Sequence, residues 1–150
     1  AADIALRWPP NTMLGTSVGT GPGGEFPDTT GRIDALREVA GVRRWVYFEP
    51  LIERVGPVDL SGIDWIVVGG ESAPDDDRRE MDHDWARELL EQARAYGIPF
   101  FYKQDSATRP ETNPVLSVYN EDFGIWAQHR FRQYPELADV TVQAREVADA

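Results

Sequence analysis

The chain has 150 residues, 41 % hydrophobic and 27 % charged, which suits one globular domain with a sizeable core. Its net charge of −11 disfavours general nucleic-acid binding, and no run approaches the roughly 18 apolar residues of a membrane span. Without cysteine, the chain itself offers no disulfide, no thiol nucleophile and no thiolate-held zinc or iron–sulfur cluster, and His83 and His129 lie too far apart for metal-ligand spacing.

From the N-terminus, residues 3–7 read as the last turn of a helix, stopped by Pro9 and Pro10. No basic region followed by an apolar stretch opens the chain, so no signal peptide and a cytoplasmic location are expected. Residues 12–18 read as the first strand. The glycine-rich loop at residues 19–24 lacks the lysine and serine of a phosphate-binding loop. A helix follows, with Asp28 to Thr30 as cap candidates, Ile33, Leu36, Val39 and Ala40 at helical spacing, and Gly41 at its end. Residues 44–48 form a second strand ending in Glu49-Pro50. After a connection of about fifteen residues, 65–68 form a third, ending in Gly69-Gly70-Glu71-Ser72.

The longest helix starts at Asp82 or Asp84, places Trp85, Leu89, Ala93 and Tyr96 on one face, and stops at Gly97. Residues 98–102 give a fourth strand ending in Lys103-Gln104. Beyond it, residues 115–119 read as a short strand, 123–134 as an aromatic segment packed on the core, and 140–150 as a terminal helix. Three strands are continuous apolar runs, the pattern of a parallel sheet buried on both faces, and Trp45, Trp65 and Trp85 are expected in the core. The fold class is α/β: a partial (β/α) barrel, or an open parallel sheet of about four strands with flanking helices. Residues 1–150 form a single domain, with a truncated barrel core at 1–104 and an irregular and helical segment at 105–150 packing on it. An open sheet edge is expected to be covered by residues 115–150 or by a second copy.

Sites in parallel β/α folds form at the C-terminal ends of the strands. The strand ends here bring Ser17, Glu49, Glu71, Ser72, Lys103 and Gln104 toward one crevice as ligand-binding candidates. Lys103 is the only lysine among fifteen basic residues. Beside a carboxylate it can orient a polar substrate, or with a lowered pKa form an imine; it can equally be a structural ion pair or solvated. Asp75, Asp76, Asp77, Glu80, Asp82 and Asp84 form an acidic stretch without the spacing of a calcium loop, read as a solvated loop and as a candidate partner-binding epitope.

Four segments carry a family resemblance. They are Trp8 to Val18, Phe48-Glu49-Pro50-Leu51 with Gly56 to Leu60, Asp64 to Ser72, and Pro99 to Gln104. Over roughly residues 3–104 the chain resembles the C-terminal part of the phage Gp37/Gp68 family, whose full-length members resemble radical S-adenosylmethionine enzymes with an N-terminal three-cysteine motif. It departs from that family at Gly19-Thr20, where Glu-Asn is usual, and at Asp82, where histidine is usual. The resemblance implies that the six candidates ring a barrel mouth. It also implies that this chain holds no cofactor, since S-adenosylmethionine and an iron–sulfur cluster would need a partner to supply the missing segment. The expectation is a ligand- or partner-binding half-barrel without independent catalysis. Its alternatives are a subunit of a split radical enzyme, joined through open sheet edges, and an acidic phage protein that binds and inhibits a basic host protein.

Overall fold

The computed structural model describes residues 8–136; the helical turn expected at residues 3–7 and the helix expected at 140–150 lie outside them. Strand β1 (Met13–Ser17) leads into α1 (Gly31–Arg37), β2 (Arg43–Phe48) and β3 (Trp65–Gly69). Helix α2 (His83–Tyr96), β4 (Phe100–Gln104), β5 (Leu116–Asn120) and β6 (Ile125–His129) follow. The first four strands form one open parallel sheet in the order β1-β2-β3-β4, and β5 and β6 form a separate antiparallel pair. No closed barrel is present among the described residues. No helix there is long and apolar enough to cross a membrane.

The two helices differ in what ends them. Asp82 caps α2 by accepting a hydrogen bond from the Asp84 amide, and Gly97 closes it in the left-handed region at φ 66°. Helix α1 stops at Arg37, short of the expected Ala40. The Arg44 side chain donates to the carbonyls of Leu36 and Val39, taking acceptors that further helical turns would have used.

One face of the sheet carries the core. Val46, Phe48, Ile66, Val68, Phe100 and Tyr102 are buried there against Ile33 and Leu36 of α1 and Ala86, Leu89, Leu90 and Ala93 of α2. The β2–β3 connection forms no helix, but it adds Leu51, Val55, Leu60 and Ile63 to the same core.

The other face meets the expectation of a sheet buried on both sides only at β3 and β4, where Val67 and Phe101 are buried; on β1 and β2 it is partly exposed. Register aligns Gly15, Trp45 and Trp65 in one row and Ser17, Tyr47, Val67 and Phe101 in the next. Trp45 and Trp65 are only half-buried, and their rings stack at 5.5 Å. Trp85, expected in the core, is also half-buried. Gly15 is required where it stands: a Cβ there would lie 2.3 Å from the Trp45 indole nitrogen.

The outer edge of β4 is covered by the chain itself. Tyr102 donates its amide to the Phe131 carbonyl, Gln133 donates back to Phe100, and Phe101 bridges Arg132. The same segment then crosses the open face, where Trp65 Nε1 donates to the Gln133 carbonyl and Tyr134 packs on Trp65 and Phe101. The edge expected to be covered by residues 115–150 is therefore that of β4. The outer edge of β1 meets no strand among the described residues. The short strand expected at 115–119 forms as β5, but its partner β6 is unexpected, and the aromatic segment packs on the core only in part: Phe131 meets Phe100 edge-on, while Phe123, Ile125 and Trp126 are exposed.

Candidate functional site

Strand β4 does not run evenly to its end. Tyr102 pairs with Val68 and Gln104 with Gly69, leaving Lys103 as the extra residue of a bulge. A bulge re-aims the side chain it carries. Lys103 reaches over the open face and donates to the Tyr47 hydroxyl at 2.6 Å and to Glu49 Oε1 at 2.8 Å. Glu49 lies across the end of β3, above Gly69, where an added Cβ would come within 2.8 Å of Glu49 Oε2. That oxygen is buried and has no hydrogen-bond partner. A buried acceptor without a donor is uncommon and costs roughly 1–3 kcal/mol.

Protonation follows from this geometry. Burial alone would lower the Lys103 pKa, but the hydrogen bonds to Glu49 and then Tyr47 outweigh it and hold the ammonium above its ordinary value. Burial, reinforced by the Glu49 carboxylate, pushes the Tyr47 phenol up as well. At neutral pH Lys103 is therefore a charged donor. This removes the basis for a lowered pKa and an imine-forming amine. One N–H of Lys103 is left to hold and orient a polar group, while the second Glu49 oxygen is buried and unpartnered in this arrangement.

The six sequence candidates separate. Ser17 lies in register with Tyr47, so it shares the open face with the trio, and it is exposed. Glu71 instead faces Arg79, whose side-chain hydrogen bonds hold the Glu71 carboxyl below its usual range. Gln104 is fully buried and donates to the Gly70 carbonyl and Ser72 Oγ, while its own carbonyl accepts from the Glu111 amide. Gln104 and Ser72 thus pin the loops after β3 and β4 together and have little left for a ligand. Tyr47 was missed by sequence reasoning. Its only sequence signal was its place two residues before Glu49, on the same face of a strand.

The acidic stretch is largely satisfied within the chain. Arg78 pairs with Asp75 and Glu80, Asp82 caps α2, and Arg87 pairs with Asp84. No carboxylate–histidine cluster among the described residues could hold a metal ion. His83 is half-buried against Asp105, with Nε2 2.9 Å from Oδ1. The glycine-rich loop is closed by hydroxyls rather than opened toward a phosphate. Thr29 Oγ1 accepts from the amides of Gly19 and Thr20, and Thr20 Oγ1 donates to the Pro27 carbonyl. A groove of about 630 Å³ lies along α2 between Arg87, Glu91 and Trp126, away from the strand ends.

A family profile described as a protein of unknown function, DUF5131, matches residues 1–144, and the chain belongs to that family. No curated protein and no solved structure matches it.

Proposed function

We propose that this DUF5131 chain is a ligand-binding β/α half-barrel whose site is the Tyr47–Glu49–Lys103 trio, with Ser17 at its margin, and that it does not catalyse alone. One observation carries the reading. A strand bulge holds a charged lysine on an uncovered sheet face beside a carboxylate oxygen that is buried and unpartnered. A pair serving stability alone would gain by satisfying that oxygen. The aromatic row of Trp45 and Trp65 supplies a planar wall next to the trio.

An iron–sulfur cluster does not fit this chain, because no cysteine is present to ligate iron. The resemblance to the radical-enzyme-like Gp37/Gp68 proteins therefore bears on the scaffold, and radical chemistry would need cysteines from outside these 150 residues. A split enzyme is the second reading. It is favoured by the outer edge of β1, which meets no strand among the described residues and can offer backbone donors and acceptors to strands from a partner. The acidic-epitope reading is left chiefly with Asp76 and Asp77.

The test is a nuclear magnetic resonance screen of the labelled chain against S-adenosylmethionine, nucleotides and amino acids. At least one compound should shift the Tyr47 and Lys103 signals saturably. The shift should vanish in Lys103→Met and Glu49→Gln, with far-UV dichroism unchanged. No saturable shift, or unfolding of both variants, would overturn the reading in favour of a structural ion pair.

A further inference from the structure

We infer that the outer edge of β6 pairs with the β6 of a second copy of this chain, joining two hairpins into one four-stranded antiparallel sheet. β6 pairs with β5 through five consecutive residues without a shift of register, and it meets no other strand among the described residues. The amides and carbonyls on its outer side therefore have no backbone partner there. Such edges are commonly blunted by lysine, proline or a bulge. None of these occurs from Ile125 to His129.

The side chains suit a copy of themselves. Of the seven large hydrophobic side chains exposed among the described residues, four belong to this hairpin: Tyr119, Phe123, Ile125 and Trp126. Apolar surface is thus concentrated beside the open edge. Tyr119 and Trp126 face each other across the strand pair, with ring centroids at 5.5 Å. Arg87 stands 4.9 Å from the Trp126 ring centroid and steadies it, yet Trp126 stays 60 % exposed. A twofold axis at Trp126 brings the two indoles together and makes a row of four rings, Tyr119 and Trp126 from each copy.

Charge fits the same register. Glu121 and Asp122 open the turn before β6, Arg130 follows its end, and all three are exposed. Asp122 and Arg130 lie four residues either side of Trp126. The axis therefore sets Asp122 of each copy against Arg130 of the other, whereas a parallel pairing would set like charges together. The chain's net charge of −11 opposes association at long range, so the contact rests on these local groups.

Sedimentation equilibrium of the full chain, from micromolar to near-millimolar concentration, tests this. The expected result is a reversible rise from the monomer mass to twice that mass. Trp126→Lys should weaken association by about tenfold or more, with far-UV dichroism unchanged. Asp122→Arg and Arg130→Asp should each weaken it about threefold, and the double variant should regain native association. A monomer throughout the range overturns the pairing. So does a dimer that none of these substitutions weakens, since its contact would lie elsewhere, as at the β1 edge. If Trp126→Lys unfolds the chain, the charge exchange decides alone, because both side chains are exposed. Failure of the double variant to restore association then overturns the antiparallel pairing.

Discussion

The two faces of the parallel sheet are built from similar residues and meet different fates. The helical face carries Val46, Phe48, Ile66, Val68, Phe100 and Tyr102, all buried under two helices and the β2–β3 connection. The open face carries Trp45, Tyr47 and Trp65, which are half-buried, beside Val67 and Phe101, which are buried; among the described residues it is covered from the β4 side, by the segment that carries Gln133 and Tyr134. Apolar character alone does not decide which face becomes core. The helices do, and the face they leave is where charged groups settle at the strand ends.

The largest test of this contrast is removal of one aromatic from each face. Phe48→Ala should cost about 3–5 kcal/mol, because a fully buried ring leaves a cavity among packed neighbours. Trp45→Ala, though larger in volume removed, should cost only about 1–2 kcal/mol, chiefly its stacking and half its burial. Urea midpoints compare the two directly. Equal costs would mean that the open face is covered as fully as the helical one.

Gly15→Val comes next in size. Its side chain would occupy the space of the Trp45 indole, and about 1–3 kcal/mol of strain is expected. Tryptophan emission should shift as the Trp45–Trp65 stack opens. An unchanged spectrum would place Trp45 elsewhere.

A smaller and opposite effect is expected on the helical face. The Tyr102 hydroxyl is buried with no hydrogen-bond partner, and burial pushes its pKa far up. Tyr102→Phe removes an unsatisfied group and keeps the ring, so stability should rise by about 1 kcal/mol. Destabilisation by that change would reveal a partner for the hydroxyl.

The smallest effect is the pH dependence of the trio. Lys103 has its folded pKa raised above the ordinary 10.5. Its contribution is therefore complete below the unfolded value and declines as pH rises through the folded one. Urea midpoints from pH 9 upward should fall more steeply for the native chain than for Lys103→Met. Parallel curves would deny the pairing with Glu49 and Tyr47.

Much of this was legible in the sequence. Local rules found the four strands because each is a short apolar run closed by turn residues, and they found α2 because Asp82, the apolar stripe and Gly97 agree. They misjudged Trp45 and Trp65, since an aromatic run looks the same whether its second face meets a helix or only other rings. They placed Lys103 at a strand end and could not see the bulge, which exists only in the mismatch between β3 and β4. They gave Gln104 and Glu71 the same standing as Glu49, although the partners that engage Gln104 and Glu71 become visible only when the loops fold together.

Of the strand-end residues, the sequence by itself determined that they would gather at one edge, because parallel strands all end on the same side. The absence of cysteine likewise determined that this chain holds no iron–sulfur cluster by thiolates. Tertiary structure alone decided which of the gathered residues remain available. Gln104 and Ser72 close on each other, Glu71 closes on Arg79, and Lys103, Glu49 and Tyr47 meet on the uncovered face with an oxygen and an N–H unspent. The physical reason is distance along the chain. Lys103 and its two partners are 56 and 54 residues apart, and only pairing through the sheet brings them within hydrogen-bond reach.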